Sequence, residues 1–117
     1  MSHFSTLRSK LTDIELLKAS LRDLGFTVET NAQVQGIGCQ QVRAEVVAVL
    51  EDGYGLGWSK NADGSLDLIA DLWAVAKTHN LPQLVSLINQ KYAVNQTLAA
   101  LQQNGLQTAN VQVILQS

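Results

Sequence analysis

Three aspartates, Asp63, Asp67 and Asp71, recur every four residues, and on an extended strand of period two they fall on one side of the chain. Hard divalent cations take several oxygen ligands, so such a row is the first place to look for a metal. Asp67 and Asp71, however, lie about 13 Å apart at about 3.3 Å per residue. That is too far for one ion without other ligands. It also exceeds the roughly 5–9.5 Å between the paired carboxylates of glycoside hydrolysis. The row reads as a solvated strand face, with Asp63 in a turn. The two histidines, His3 and His79, show no His-x-x-x-His spacing and would need carboxylates from elsewhere to hold a metal. Cys39 has only these imidazoles to activate it, so it reads as a buried or incidental thiol. Gly53-x-Gly55-x-Gly57 contains a G-x-G, but a phosphate-binding turn needs a helix to follow, and here a strand follows. Glycines alternating along a strand point to close packing on one face of its backbone. No G-x-S-x-G, Walker loop or His-Glu-x-x-His occurs. No catalytic residue, metal site or cofactor is therefore assigned, and the motifs weigh against an enzyme.

The aromatic residues make the better case for recognition. Both tryptophans, Trp58 and Trp73, and one of the two tyrosines, Tyr54, fall between residues 54 and 73, in a chain only 5% aromatic. With Tyr92 they are residues of the type that anchors protein interfaces, although a place in the core is the default for each. Charged residues make up 15% of the chain, against about 25% in ordinary globular domains, so glutamine, asparagine, serine and threonine cover part of the surface. Such a surface suits a weakly charged interface. The net charge of -2 supplies no general attraction for a phosphate backbone, and no nucleic-acid partner is expected. Arg8 to Lys10, with Lys18 and Arg22, forms a modest positive edge that reads as solvated. A single cysteine excludes an internal disulfide. No apolar run of 18 residues and no signal-peptide core is present, so a soluble cytoplasmic protein with no membrane contact is expected.

The 117 residues suit one domain, 1–117. A strand is expected across His3 to Lys10. Thr12 or Asp13 offers an N-cap for a helix carrying Ile14, Leu17, Leu21 and Leu24, which ends at Gly25. Phe26 to Thr30 reads as a strand, and Asn31 to Gln41 as either a loop or an irregular strand end. Val42 to Leu50 describes a strand half-buried at its start and buried on both faces later. A turn at Glu51-Asp52-Gly53 leads into a hairpin from Tyr54 to Trp73, whose loop Asn61-Ala62-Asp63-Gly64 puts glycine where positive φ is required. Ala74 to His79 is ambiguous between strand end and helical turn. From an N-cap at Asn80, with Pro82 near the first helical position, one long helix or two shorter ones broken near Ala93 to Asn95 run to Gly105. Val111, Val113 and Leu115 alternate as a final strand within Leu106 to Ser117. The order β-α-β-β-β-β-α-β predicts an α+β, two-layer sandwich with two main helices on one face of an antiparallel sheet, a variant of the ferredoxin-like plan.

The opening Met1-Ser2-His3-Phe4-Ser5-Thr6, the helix end Leu24-Gly25-Phe26, the run Leu68-Ile69-Ala70-Asp71-Leu72-Trp73 and the later Gln90-Lys91-Tyr92-Ala93 occur in an order and spacing that resemble the hypothetical chloroplast open reading frame thirty-five family of cyanobacteria and algal plastids. The resemblance covers nearly the whole chain and implies a cytosolic or stromal location. It carries no reaction or ligand with it. Leu72 stands where another aromatic residue is expected. The positions that match, with Trp58 from the hairpin, give a candidate interaction surface of Ser2, His3, Ser5, Trp58, Asp71, Trp73, Gln90 and Tyr92. The function expected is a non-enzymatic binding or adaptor domain acting through a protein partner or self-association. The alternative is a small-ligand regulatory module with a pocket between sheet and helices, near Trp58 and Trp73.

Overall fold

The structure, a computed structural model, describes residues 4–103. Strand β1 (Phe4–Arg8) leads to helix α1 (Ile14–Asp23), and strands β2 (Thr27–Gln35), β3 (Gln41–Val49), β4 (Gly55–Lys60) and β5 (Leu66–Asp71) follow as a meander. The short helix α2 (Leu72–Ala76) and the long helix α3 (Leu81–Gln103) complete the described chain. All neighbouring strands pair antiparallel, in the order β1-β5-β4-β3-β2. This is the expected α+β class. The split β-α-β is wider than in the ferredoxin-like plan, because β1 and β2, which flank α1, stand at opposite edges of the sheet. The final strand expected within Leu106 to Ser117 lies outside the described residues.

Local chemistry accounts for the boundaries. Asp13 caps α1, its carboxylate accepting the Leu16 N–H at 3.1 Å. Gly64 takes φ +92 in the β4–β5 turn, the left-handed region the hairpin requires. Helix α3 is continuous through Ala93–Asn95, so the break allowed there is absent. The uncertain stretch from Asn31 resolves as strand β2 as far as Gln35, with the kink confined to Asn31 at φ 50, a conformation asparagine tolerates. Residues 36–40 leave the strands, with Ile37–Cys39 as a short 3-10 segment interrupted by the left-handed Gly38.

The sheet buries both faces. On one, Val46, Ala48, Leu56, Trp58, Leu68 and Ala70 pack with Leu17 and Leu21 of α1 and Ile88 and Tyr92 of α3. On the other, Val34, Ala44 and Val47 form a smaller cluster with Phe4 packed against it. That second cluster exists because the β2–β3 hairpin curls back over β4 and β5. Glycine makes the close approach possible. A Cβ at Gly57 would lie 2.4 Å from Val34 Cγ2, and one at Gly36 would lie 2.8 Å from Phe4 Cζ. Of the alternating glycines, Gly55 and Gly57 thus serve close packing while Gly53 has open space at φ +89 in the turn, and it is Gly36 that lets the two edges of the sheet meet at Phe4 and Asp71.

Candidate functional site

Where the curled hairpin meets the start of α2, Asp71 is 1% exposed. Its Oδ1 accepts the Ala74 N–H at 3.2 Å, which caps α2, and its Oδ2 accepts the Ile37 N–H at 3.0 Å from the tip of the hairpin. One carboxylate therefore satisfies a helix-end donor and a turn donor that have no partner in a strand or helix ladder. It also ends β5 at Asp71, so Trp73 belongs to α2 and not to the hairpin strand expected to carry it. The reversal turns the indole outward: Trp73 is 65% exposed, beside Leu72, Ala76 and Lys77. Directly across the sheet, Phe4 pairs with Asp71 and Ser5 with Ala70, so the half-buried start of β1 adjoins this corner.

A second feature lies between β1 and α3. A groove of about 580 Å³ is bordered by Leu7, Arg8 and Lys10 on one side and by Val85, Asn89 and Gln96 on the other, with Trp58, Leu68 and Tyr92 along its floor. It occupies the position expected for a pocket between sheet and helices, and of the two tryptophans it includes only Trp58. Tyr92 is fixed there, its hydroxyl accepting the Asp13 N–H at 3.0 Å and the Thr12 N–H at 3.3 Å. Asn95, one turn further along α3, donates to Ser20 Oγ and Asp23 Oδ2, each at 3.0 Å, and so holds α3 to α1.

The structure divides the sequence-selected residues into two groups. Trp58, Asp71 and Tyr92 are buried at 2%, 1% and 4% exposure, which corrects their placement on an outer surface. Each instead supports the fold beneath a feature: Asp71 under Trp73, and Trp58 and Tyr92 under the groove. Trp73 and Gln90 are exposed and Ser5 is half-buried. Gln90 lies in a separate depression with Leu24, Lys91 and the 47% exposed Leu87, away from Trp73. Ser2 and His3 lie outside the described residues. Sequence reasoning missed Leu7, 43% exposed on β1, and Leu87. Leu87 belongs to the helical apolar spacing of α3, which does not report which member of a stripe is left at its rim, and Leu7 stands among hydroxyl and basic residues with too little pattern around it to show its exposure.

The remaining candidates for chemistry are engaged locally. Asp63 sits in the hairpin turn, where Ser65 donates to it through its hydroxyl at 2.6 Å and its amide at 3.0 Å. These two bonds, the hydroxyl's first, lower the Asp63 pKa from its ordinary 3.8. Asp67 accepts from Asn61 Nδ2 at 2.9 Å. With Asp71 acting as a cap, the aspartate row serves three separate local roles, and no group of three or more His, Cys, Asp or Glu side chains is placed to hold a metal among the described residues. The Thr78 hydroxyl donates to Asp52 Oδ2 at 2.6 Å, so its contact with His79 Nδ1 at 2.8 Å has the imidazole as donor. This exposed relay pins the turn after α2. Cys39 is exposed in the 3-10 turn. No described helix is long and apolar enough to cross a membrane.

Comparison with known proteins follows the same outline. The family described as protein of unknown function DUF1257 matches residues 20–115. The uncharacterized protein ycf35 of Guillardia theta is 31% identical over 94% of this chain and 86% of its own length. The uncharacterized protein ycf35 of Pyropia yezoensis is 29% identical over 80% of this chain and 73% of its own. No solved structure matches the chain. The family match takes in β2 to α3, with the Asp71 corner and most of the groove, and the longer relative alignment leaves little of the chain uncovered: the chain belongs to the DUF1257 family, the family of the ycf35 proteins.

Proposed function

We propose that this domain is a non-enzymatic binding or adaptor module that docks a protein partner, or a second copy of itself, on the corner formed by Trp73 and the start of β1. The observation that carries the reading is the 65% exposure of Trp73 on a turn whose geometry is fixed by the most buried carboxylate among the described residues. Tryptophan is the residue type most enriched at interface hot spots, and a side chain held in place before binding loses little conformational freedom when it is covered. Leu72 and the methyl of Ala76 extend the apolar contact, and Lys77 supplies a charged rim. With a net charge of -2, a phosphate backbone is a poor partner for this surface. The expected setting is the cytoplasm, or the stroma in plastid relatives.

Native co-purification of the tagged chain from its own host at low salt, with Trp73→Ala in parallel, tests the proposal. Truncating a hot-spot tryptophan costs about 2 kcal/mol or more, which lowers affinity about 30-fold. A stoichiometric protein captured by the native chain and lost with Trp73→Ala, at unchanged circular dichroism, supports the reading. Capture that is indifferent to Trp73, or a native chain that emerges alone after mild cross-linking, removes it.

A further inference from the structure

We infer that the groove between β1 and α3 binds an amphipathic carboxylate, a small organic acid with an apolar body and one anionic head. Among the described residues its lining offers donors and positive charge, and no Asp or Glu borders it. The Tyr92 hydroxyl oxygen accepts from Thr12 and Asp13, yet its own O–H has no acceptor among the described residues. The Trp58 indole N–H has none either. No buried side-chain nitrogen or oxygen among the described residues is sealed away without a partner, so this N–H reaches the open space that Trp58 lines, which is the groove. A donor held at the floor of an apolar site favours a ligand that supplies an acceptor. At the rim, Arg8 and Lys10 are exposed, and neither forms an ion pair among the described residues. Asp63 feels the charge of Arg8, but its carboxylate is already held by Ser65.

Donors and cations gather at one end of the groove. Trp58 pairs with Leu68 and Leu68 with Leu7, so the indole lies in a row across the sheet that ends beside Arg8. Tyr92 meets the backbone at Thr12 and Asp13, just beyond Lys10. A carboxylate has two oxygens and takes several donors; here one oxygen faces the floor donors and the other the rim cations, and bonds to an ionised acceptor are the stronger kind. From Tyr92 back to Val85 the helix covers about 10 Å at 1.5 Å per residue, and Leu7, Leu68, Val85 and Ile88 line that length with apolar surface for a short alkyl body. The volume of about 580 Å³ falls within the roughly 300–1,000 Å³ of small-ligand sites. A neutral apolar ligand leaves both floor donors unpaired. A phosphate finds only the middle of α3 here, without the free amides of a helix N-terminus. The site is separate from the Trp73 corner, so the two proposals stand or fall independently.

Titration of the isotope-labelled full chain with octanoate, followed by NMR, tests the inference. Octanol serves as the uncharged probe with the same body, and Trp73→Phe tells the two indole N–H cross-peaks apart. Octanoate is expected to move the Trp58 cross-peak downfield and to saturate, while the Trp73 cross-peak stays in place. Arg8→Gln combined with Lys10→Gln should weaken octanoate about tenfold, the combined effect of two exposed charge pairs. Octanol should bind about tenfold more weakly than octanoate for the same reason, and the double variant should leave its binding unchanged. Octanol that binds as tightly as octanoate would overturn the inference, and so would a double variant that binds octanoate as the native chain does. Octanoate that moves the Trp73 cross-peak in place of the Trp58 one, or moves neither, would overturn it as well. A chain that sediments with phosphatidylglycerol vesicles but takes up no octanoate would overturn it in favour of a lipid surface.

Discussion

Replacing Asp71 by alanine removes both acceptors at the point where the hairpin tip, the end of β5 and the start of α2 converge. Loss of an N-cap costs about 1 kcal/mol. A buried or half-buried amide left without an acceptor costs about 1–3 kcal/mol, and the Ile37 N–H becomes such a group. The two together predict a loss of about 2–4 kcal/mol, a large share of the roughly 5–15 kcal/mol that holds a domain folded. In a domain of about 100 residues that lowers the Tm by roughly 10–30 °C, at about 4–8 °C per kcal/mol. Asp71→Asn separates the two contributions. Its remaining oxygen can still cap Ala74, but its amide then presents a donor to the Ile37 N–H, so about half or more of the loss remains.

Urea unfolding gives the energies, and amide exchange at Ile37 and Ala74 gives their location. Both amides should lose protection in Asp71→Ala, and chiefly Ile37 in Asp71→Asn. A change of less than about 0.5 kcal/mol in Asp71→Ala, the range of an ordinary surface substitution, would refute the reasoning. So would unchanged protection at Ile37, because the hairpin tip would then be held by something other than this carboxylate.

Gly57→Ala drives a methyl into Val34 Cγ2 at 2.4 Å and Ala44 Cβ at 2.8 Å; it should cost about 1–3 kcal/mol by overpacking in thermal unfolding, and an unchanged Tm would show that the curl of β2–β3 is loose. Tyr92→Phe removes the acceptor shared by Thr12 and Asp13 and should cost about 1 kcal/mol, with faster exchange at those two amides; unaltered exchange would mean that the α1 entry is held without the hydroxyl. The Asp63 carboxyl should titrate below 3.8 by carbon NMR, and Ser65→Ala should bring it back toward that value. Since its folded pKa is depressed, its contribution to stability is fully present above 3.8 and fades as pH falls through the folded value; a carboxyl titrating at or above 3.8 in the native chain would contradict the turn geometry.

How much of this was legible in the sequence differs from element to element for physical reasons. Alternation in Val42 to Leu50 and the Gly64 turn identified β3 and the β4–β5 hairpin, because period and turn chemistry are local. The buried second face of β3 was visible too, in Val46 and Val47 standing side by side. Its cover was not, since that depends on a hairpin folding back over β4, a contact between residues far apart in sequence. Strand β2 beyond Thr30 was obscured by Asn31 and the polar residues after it, which suit a loop locally and are held in the ladder by β3. Nothing local marks Asp71 as a cap. It lies in an alternating run with Leu68 and Ala70, and that pattern continues through Leu72 with no sign that the carboxylate turns back to cap α2. Tyr92 was read as a core or surface aromatic, whereas its hydroxyl acts on the backbone of a segment some 80 positions earlier. Leu87 shows the converse, since apolar residues in a periodic stripe look alike whether the stripe is covered or ends at a rim.

The buried acid and the exposed indole at residues 71 and 73 are better understood together than apart. Asp71 closes the sheet on itself by taking the Ile37 N–H, and the same carboxylate starts the helix that turns Trp73 outward. Had the chain continued as a strand, Leu72 and Trp73 would have fallen on opposite faces of the sheet, and one of those faces is already filled by the curled hairpin. Ending the strand at Asp71 avoids that conflict and leaves the indole on a rigid corner. The two residues should therefore separate in experiment. Truncating Trp73 removes binding area while the interior stays packed; truncating Asp71 loosens the corner and lowers stability and partner capture together. A partner that tolerates Asp71→Ala in a still-folded chain but not Trp73→Ala would mean that the indole is recognised without the rigid corner, and that preorganisation plays no part in the docking.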